Sequence, residues 1–414
     1  MDAVKKLSLP QLLILNSYWV GLSFMWNALH PIVLPAVLLN YVPDGSKNTY
    51  LGLLTFIGLI LAMFIQPVSG ALSDGWRSRF GRRRPLMVMG TIFDFVFLAI
   101  LAWAGGLTWL IIGYIGLQIS SNTAHGPLQG LLPDRVPEHQ LGMAAAFKNF
   151  MDMLSLIIVS LLAGRLMSAE SRDPTLIMVV VMLTLAVTGM ITIFGTNEDP
   201  TNALPGKSWV DFRKVFKIHF RRNADYWWLI AERAVFLLGI YGVQAFAQYY
   251  LQDVLKVADP PKQTGDLLAA ITSGLVVLVL VGGWLTDRFG ARRILFIASL
   301  SAAAGILLMV TATNVRDLTI FGSLLGAGIG LFLTSNWALA NRLAPHGESG
   351  KFLGLTNLAT AGSAALARLE GPVLDLLNTA RPGVWLGYKG LFLFGGLCML
   401  ASLFFLSKIQ LRNS

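Results

Sequence analysis

Polar side chains recur at helical spacing inside long apolar runs of this chain, and their types suit one kind of chemistry. Between positions 107 and 132, Gln118, Asn122, His125 and Gln129 are spaced four, three and four, which puts them on one helical face at about 100° per residue. Between 11 and 38, Asn16, Trp19, Ser23, Asn27 and His30 form a second stripe, and Tyr241, Gln244 and Gln248 form a third further on. Amides and imidazoles offer donors and acceptors together, while indole and phenol rings offer a stacking surface. These faces suit the reversible binding of a hydroxylated solute. The plainer account of such amides is interhelical hydrogen bonding, worth about 0.6 kcal/mol on average. No nucleophile–base pair, metal-ligand spacing or phosphate loop accompanies them, which argues against an enzyme and against a resident metal or cofactor.

Ionisable groups stand in the same runs, where each costs about 2.5 to 3.5 kcal/mol on insertion scales. Asp94 falls near the middle of one run, and Lys148 and Asp152 are four apart on another, the spacing of an ion pair. Glu232 and Arg233 are adjacent, point about 100° apart, and so each calls for its own partner. Asn357, Ala364, Arg368 and Asp375 are expected to share a face, with Glu370 turned away from Arg368. Arg368 is the candidate for a charge at the solute. Asp94, Asp152 and Glu232 are candidates to couple its movement to a cation, the proton first. If Asp94 reaches Arg368, its protonation would alternately free and bind that arginine.

The elements that must position these groups follow from composition. Of 414 residues, 55% are apolar and 13% charged. The charge clusters between about twelve apolar runs of spanning length: roughly 11–38, 50–72, 86–105, 107–132, 142–168, 175–195, 225–252, 264–285, 293–312, 317–342, 352–379 and 386–408. A span needs about 20 mainly apolar residues, and lipid leaves helix as the way to satisfy the backbone. The fold class is therefore an all-α membrane protein with twelve spans. The net charge of +10 is topological and does not call for nucleic acid: most of the 32 Lys and Arg lie in segments that a cytoplasmic N-terminus would place inside. A multi-pass inner-membrane protein with both termini cytoplasmic is expected, with membrane lipid as its surroundings and a monomer as its state. Cys398 is the only cysteine and reads as packing.

The chain divides six spans and six, as bundles 1–195 and 225–414, around a polar linker 196–224. In that linker Trp209, Phe212, Val215, Phe216 and Phe220 sit among basic residues as an amphipathic surface segment. The halves repeat. Gly70-Ala71-Leu72-Ser73-Asp74 followed by Arg79-Phe80-Gly81-Arg82-Arg83-Arg84 has a counterpart in Gly283 to Asp287, Arg288, Gly290 and Arg292-Arg293. Asp74 and Asp287 are 213 residues apart, and Pro133 and Gly142 precede Pro345 and Gly354 by 212 each. Duplication of this kind predicts two pseudo-symmetric bundles. Asp74, Arg79, Arg82, Asp287 and Arg288 are candidate gating residues, the acid at a neighbouring helix N-terminus and the arginines on lipid phosphate. Gly322, Gly326 and Gly330 predict a close helix approach.

The string Ser78-Arg79-Phe80-Gly81-Arg82-Arg83-Arg84-Pro85 resembles the sucrose-type carriers of the glycoside-pentoside-hexuronide branch of the major facilitators. Phe24 to Ala28 with Pro31, Gln66-Pro67, Asn122 to Pro127 and Leu131 to Asp134 support the resemblance; in the second half it rests on Arg233, Gly239, Tyr249-Tyr250, Asp253 and Trp337 to Ala340. It implies the major facilitator fold and cation-coupled symport of a sugar or glycoside by alternating access, and it adds Asn336 and Trp337 to the solute contacts. Gln129 stands where plant sucrose carriers have Arg, Trp103 and Ala104 where they have an acid, and Asn336 where bacterial relatives often have Asp. A uniporter or exporter of an amphipathic solute, or a non-transporting assembly factor on the same fold, are the alternatives.

Overall fold

A computed structural model describes residues 6–76, 78–137, 140–167, 172–196, 198, 223–344 and 349–410. Among these residues the secondary structure is helical throughout, as expected of a backbone that must satisfy its own hydrogen bonds in lipid. Twelve helices follow in order: α1 (Leu9–Leu38), α2 (Lys47–Gly75), α3 (Arg84–Ala102), α4 (Leu107–Arg135), α5 (Leu141–Leu166), α6 (Thr175–Gly195), α7 (Ala224–Asp253), α8 (Pro260–Phe289), α9 (Ala291–Met309), α10 (Val315–Leu343), α11 in two pieces (Ser349–Arg368 and Glu370–Ala380) and α12 (Leu386–Lys408). Ten of them are long and apolar enough to cross a membrane. The other two are α4, which carries the amide stripe, and the broken α11. Residues 197 and 199–222 of the polar linker 196–224, including its amphipathic stretch, lie outside the described residues, as does Pro345.

Two helices are interrupted where proline withholds an N–H. In α1, Pro31 and Pro35 bring no donor to the ladder, and Leu29–Val33 closes as one π turn centred near His30. In α11, Pro372 cannot donate to the carbonyl of Arg368, and the helix restarts at Glu370. The first turns of α2 lie against that break. A Cβ on Gly52 would sit 2.3 Å from the Arg368 carbonyl oxygen, so glycine is what permits the approach.

Contacts divide the chain into two units, Met1–Tyr41 with Ile57–Phe212 and Val42–Phe56 with Arg213–Ser414, so that α2 changes unit along its length. In the first unit α1 packs on α5 and α6, and α3 on α4 and α6; in the second α7 packs on α11 and α12, and α9 on α10 and α12. One packing pattern thus occurs twice. Glycines set its close approaches: Gly90 of α3 against the Ser120 carbonyl at 2.6 Å from a notional Cβ, Gly126 of α4 against that of Gln66 at 2.3 Å, and Gly326 and Gly330 of α10 against those of Ile271 and Leu275 at 2.6 and 2.7 Å. Gly322 packs on the Ile271 side chain, so the predicted glycine stripe of α10 faces α8.

Candidate functional site

In the first unit the π turn of α1 presents His30. The Trp26 ring, one turn earlier, stacks on it at 5.0 Å and 22°. The His30 Nε2 is 3.0 Å from the Tyr114 hydroxyl of α4, which also accepts from Gln118 Nε2 at 2.7 Å. Asn122 Nδ2 donates to Gln118 Oε1 at 3.2 Å, extending the chain a further turn. Gly58 of α2 makes room for it, since a Cβ there would lie 2.6 Å from the Tyr114 hydroxyl and 2.9 Å from Gln118 Nε2. The result is a run of alternating donors and acceptors beside an indole face. Trp26 and Tyr114 were missing from the sequence-based set, although each stands four residues from a member of a polar stripe.

A second group forms around Trp19. His125 meets its ring edge-on at 4.9 Å, and the Lys148 ammonium of α5 lies 4.0 Å from its centroid. Lys148 also pairs with Asp152 at 3.0 Å, and the Asp152 carbonyl accepts from Ser23, which in turn accepts from Asn27 at 3.0 Å. Among the described residues the Trp19 Nε1 and His125 Nε2 atoms are buried without a hydrogen-bond partner. Gln129 is exposed. Asp94 is fully buried on α3, where Ser120 of α4 donates to Oδ1 at 2.5 Å and Oδ2 has no partner among the described residues.

In the second unit Glu232 and Arg233 do not take separate partners, as their divergence on the helix suggested. Both meet Asn336 of α10: its Oδ1 accepts from Arg233 at 2.7 Å and its Nδ2 donates to Glu232 Oε2 at 2.7 Å. One amide answers both because it carries a donor at one end and an acceptor at the other. Thr360 of α11 completes the group, accepting from Arg233 Nε at 3.0 Å. Tyr241 lies within electrostatic reach of Arg233 and Arg368. Gln248 is buried, Gln244 half-buried, and Trp337 is 41% exposed on a face of α10 away from Asn336. Of the four residues expected to share a face of α11, Asn357 is exposed, Arg368 and Asp375 are buried, and Asp375 accepts from Asn48 Nδ2 at 2.8 Å and from the Thr49 amide at 2.6 Å. Beside that contact Lys47 pairs with Asp253 at 2.6 Å.

The loop between α2 and α3 is organised by Arg83, which the gating candidates omitted. Its guanidinium meets Asp74 at 2.5 Å, Asp134 at 2.9 Å and the Ser73 hydroxyl at 2.5 Å. Gly130 of α4 leaves the space it fills. Arg82 pairs with Asp134 at 2.5 Å, and Arg79 lies over the Phe80 ring at 4.7 Å. Glu198, just past α6, accepts from the Arg83 and Arg84 amides that open α3. In the second copy Asp287 is exposed and Arg288 lies over Trp284 and Phe289 at 5.1 and 5.4 Å.

A family model described as Major Facilitator Superfamily matches residues 13–368. The chain belongs to that superfamily. Among curated relatives it is 26% identical over 383 residues to an uncharacterized symporter, YnaJ, of Bacillus subtilis, covering 85% of this chain and 78% of that protein. It is 25% identical over 146 residues to the sucrose transport protein SUC4 of Arabidopsis thaliana, covering 31% of this chain and 28% of that one. It is 30% identical over 214 residues to the proline/betaine transporter of Escherichia coli K12, covering 47% and 39%. The last two matches thus span well under half of the relatives' lengths. Among solved structures, a D-xylose–proton symporter superposes with a TM-score of 0.73 at 16% identity over 95% of this chain and 96% of that one. The POT family transporter PepTSo gives 0.74 at 12% identity over 97% and 99%. The fold is that of the major facilitators, twelve spans in two pseudo-symmetric six-helix bundles, and the protein is a multi-pass membrane transporter.

Proposed function

We propose that this transporter carries a sugar or glycoside-like solute together with a proton by alternating access, as a monomer in the inner membrane with both termini cytoplasmic. The observation that carries the reading is the Trp26–His30–Tyr114–Gln118–Asn122 chain. It places alternating donors and acceptors against an aromatic face inside a membrane helix pair, which is what a polyhydroxylated ring needs. The buried carboxyls Asp94 and Glu232, with Asp152 beside Lys148, supply groups able to hold a coupling proton. The partial match to a sucrose transport protein agrees with this solute class.

The test is uptake of radiolabelled sucrose, maltose and xylose into proteoliposomes under an imposed proton gradient. Accumulation that a protonophore abolishes is the expected result. In Tyr114→Phe, loss of the hydroxyl shared by His30 and Gln118 should weaken apparent affinity by about tenfold, since one buried hydrogen bond is worth roughly 1 to 1.5 kcal/mol. Uptake that equilibrates without responding to the gradient would mean uniport, and binding of none of the sugars would remove the solute class.

A further inference from the structure

Glu370 opens the second piece of α11, immediately after the break at Leu369, and nothing above has used it. Both of its carboxyl oxygens are buried and neither has a hydrogen-bond partner among the described residues. The side chain is aimed at α7, where Gly242 accommodates it: a Cβ at that position would lie 2.0 Å from Oε2 and 2.9 Å from Oε1. One turn away α7 and α12 nearly touch, Gly239 facing the Gly395 carbonyl at 2.6 Å from a notional Cβ, so the carboxyl is enclosed on that side. The charged and titratable groups that act on it are Arg368 on its own helix and Cys398 on α12. On α7 the neighbour of Gly242 is Tyr241, which Arg368 and Arg233 also reach, and α2 brings the Asn48 backbone and Gly52 against Gly371.

Asp94 has Ser120 and Glu232 has Asn336, but Glu370 has no donor among the described residues. An ionised carboxylate with neither oxygen satisfied is the least tolerable state of a buried acid, and a proton supplied to it removes the uncompensated charge. We propose that Glu370 is a proton-binding site of the second unit, and that its proton switches off the attraction between its carboxylate and the Arg368 guanidinium. Gly242 is the counterpart of this arrangement, because a methyl group there would lie 2.0 Å from Oε2 and displace the carboxyl. The inference rests on the proton-coupled reading of the transporter.

Dicyclohexylcarbodiimide tests the site without any solute. A protonated carboxyl adds across one C=N bond of this apolar reagent, the oxygen bonding to carbon and the proton passing to nitrogen, and the product rearranges to a stable N-acylurea with no group lost. Full-length protein in proteoliposomes should carry the adduct on Glu370 by peptide mass spectrometry. Its yield should fall as pH is raised and be the same in sodium as in choline medium. Gly242→Ala should shift the pH at which labelling falls, and Glu370→Gln should carry no adduct at that position. With a transported sugar in hand, Glu370→Gln should keep exchange of solute across the membrane and lose at least tenfold in gradient-driven accumulation. A yield that does not change with pH, protection by sodium, or no adduct on monodisperse protein would each overturn the proposal, as would uphill uptake unchanged in Glu370→Gln. If no sugar is transported but the labelling behaves as stated, the solute reading has failed and the proton site stands.

Discussion

The two copies of the Gly-Asp-Arg loop share residue types and differ in length and in what they build. In the first, residues 76–83 separate α2 from α3, and that length lets Arg83 fold back on Asp74, Asp134 and Ser73 while Glu198 accepts from the amides opening α3. In the second, Gly290 alone joins α8 to α9, with φ of +87°. Arg292, in the place of Arg83 when the glycines are matched, instead donates to the Ser407 carbonyl at the end of α12 at 3.1 Å. A repeat therefore conserves helix placement more readily than charge pairing. The ion cage depends on loop length and on an acid at 134, and both can change without disturbing the bundle.

The largest effect expected from this difference is at Arg83. Its side chain is 6% exposed, and Arg83→Ala would leave Asp74 and Asp134 without their shared cation. Breaking a buried pair costs 3 to 5 kcal/mol, and the half-exposed Asp74 places this case at the lower end, about 3 kcal/mol. Arg292→Ala, on the exposed copy, should cost about 0.5 kcal/mol or less. Thermal unfolding in detergent, read by loss of the monodisperse peak, distinguishes the two; equal losses would mean that the cage has no special weight.

Next in size are the loop glycines. Gly81 and Gly290 both adopt positive φ, so alanine strains either backbone by about 1 to 2 kcal/mol. At Gly81 a Cβ would also lie 2.0 Å from Glu198 Oε2, whereas at Gly290 it meets nothing within 4 Å. Gly81→Ala should therefore lower the unfolding midpoint further than Gly290→Ala, and Glu198→Ala should narrow the gap by removing the obstruction.

Much of the fold was legible because the bilayer dictates it: long apolar runs, the positions of Lys and Arg, and a repeat of 212 to 213 residues lead to twelve helices in two bundles. Counting runs retained α4 and α11, which hydropathy by itself passes over. The polar chain was half legible. Gln118, Asn122 and His30 announce themselves as polar groups in apolar surroundings, whereas Trp26 and Tyr114 look like ordinary bilayer residues until helix packing brings them to His30. The Asn336 bridge was not legible, because helical angle separates Glu232 from Arg233 and only the approach of another helix rejoins them. Pro372 marks the break in α11, but membrane helices often tolerate proline, so the sequence alone does not announce it.

Smaller effects separate the helix-end acid of the first loop from its exposed counterpart. Glu198→Gln keeps an acceptor for the Arg83 and Arg84 amides and loses only the charge at the N-terminus of α3, a difference of about 0.5 kcal/mol that added salt should shrink.

Asp287→Asn is the smallest change and the sharpest form of the comparison. Among the described residues Asp287 forms no ion pair, and it is exposed at the end of α8, so stability should move by less than about 0.5 kcal/mol. Its sequence twin Asp74 holds Arg83, and Asp74→Asn should cost more, though less than Arg83→Ala because Asp134 remains. If Asp287→Asn leaves unfolding untouched yet slows solute exchange in proteoliposomes, the second copy acts in a state of the transport cycle other than the one seen here, and the repeat keeps a shared role despite the missing cage. If neither property changes, the acid of the second copy is a remnant of duplication, and among the described residues the ion cage is confined to the first unit.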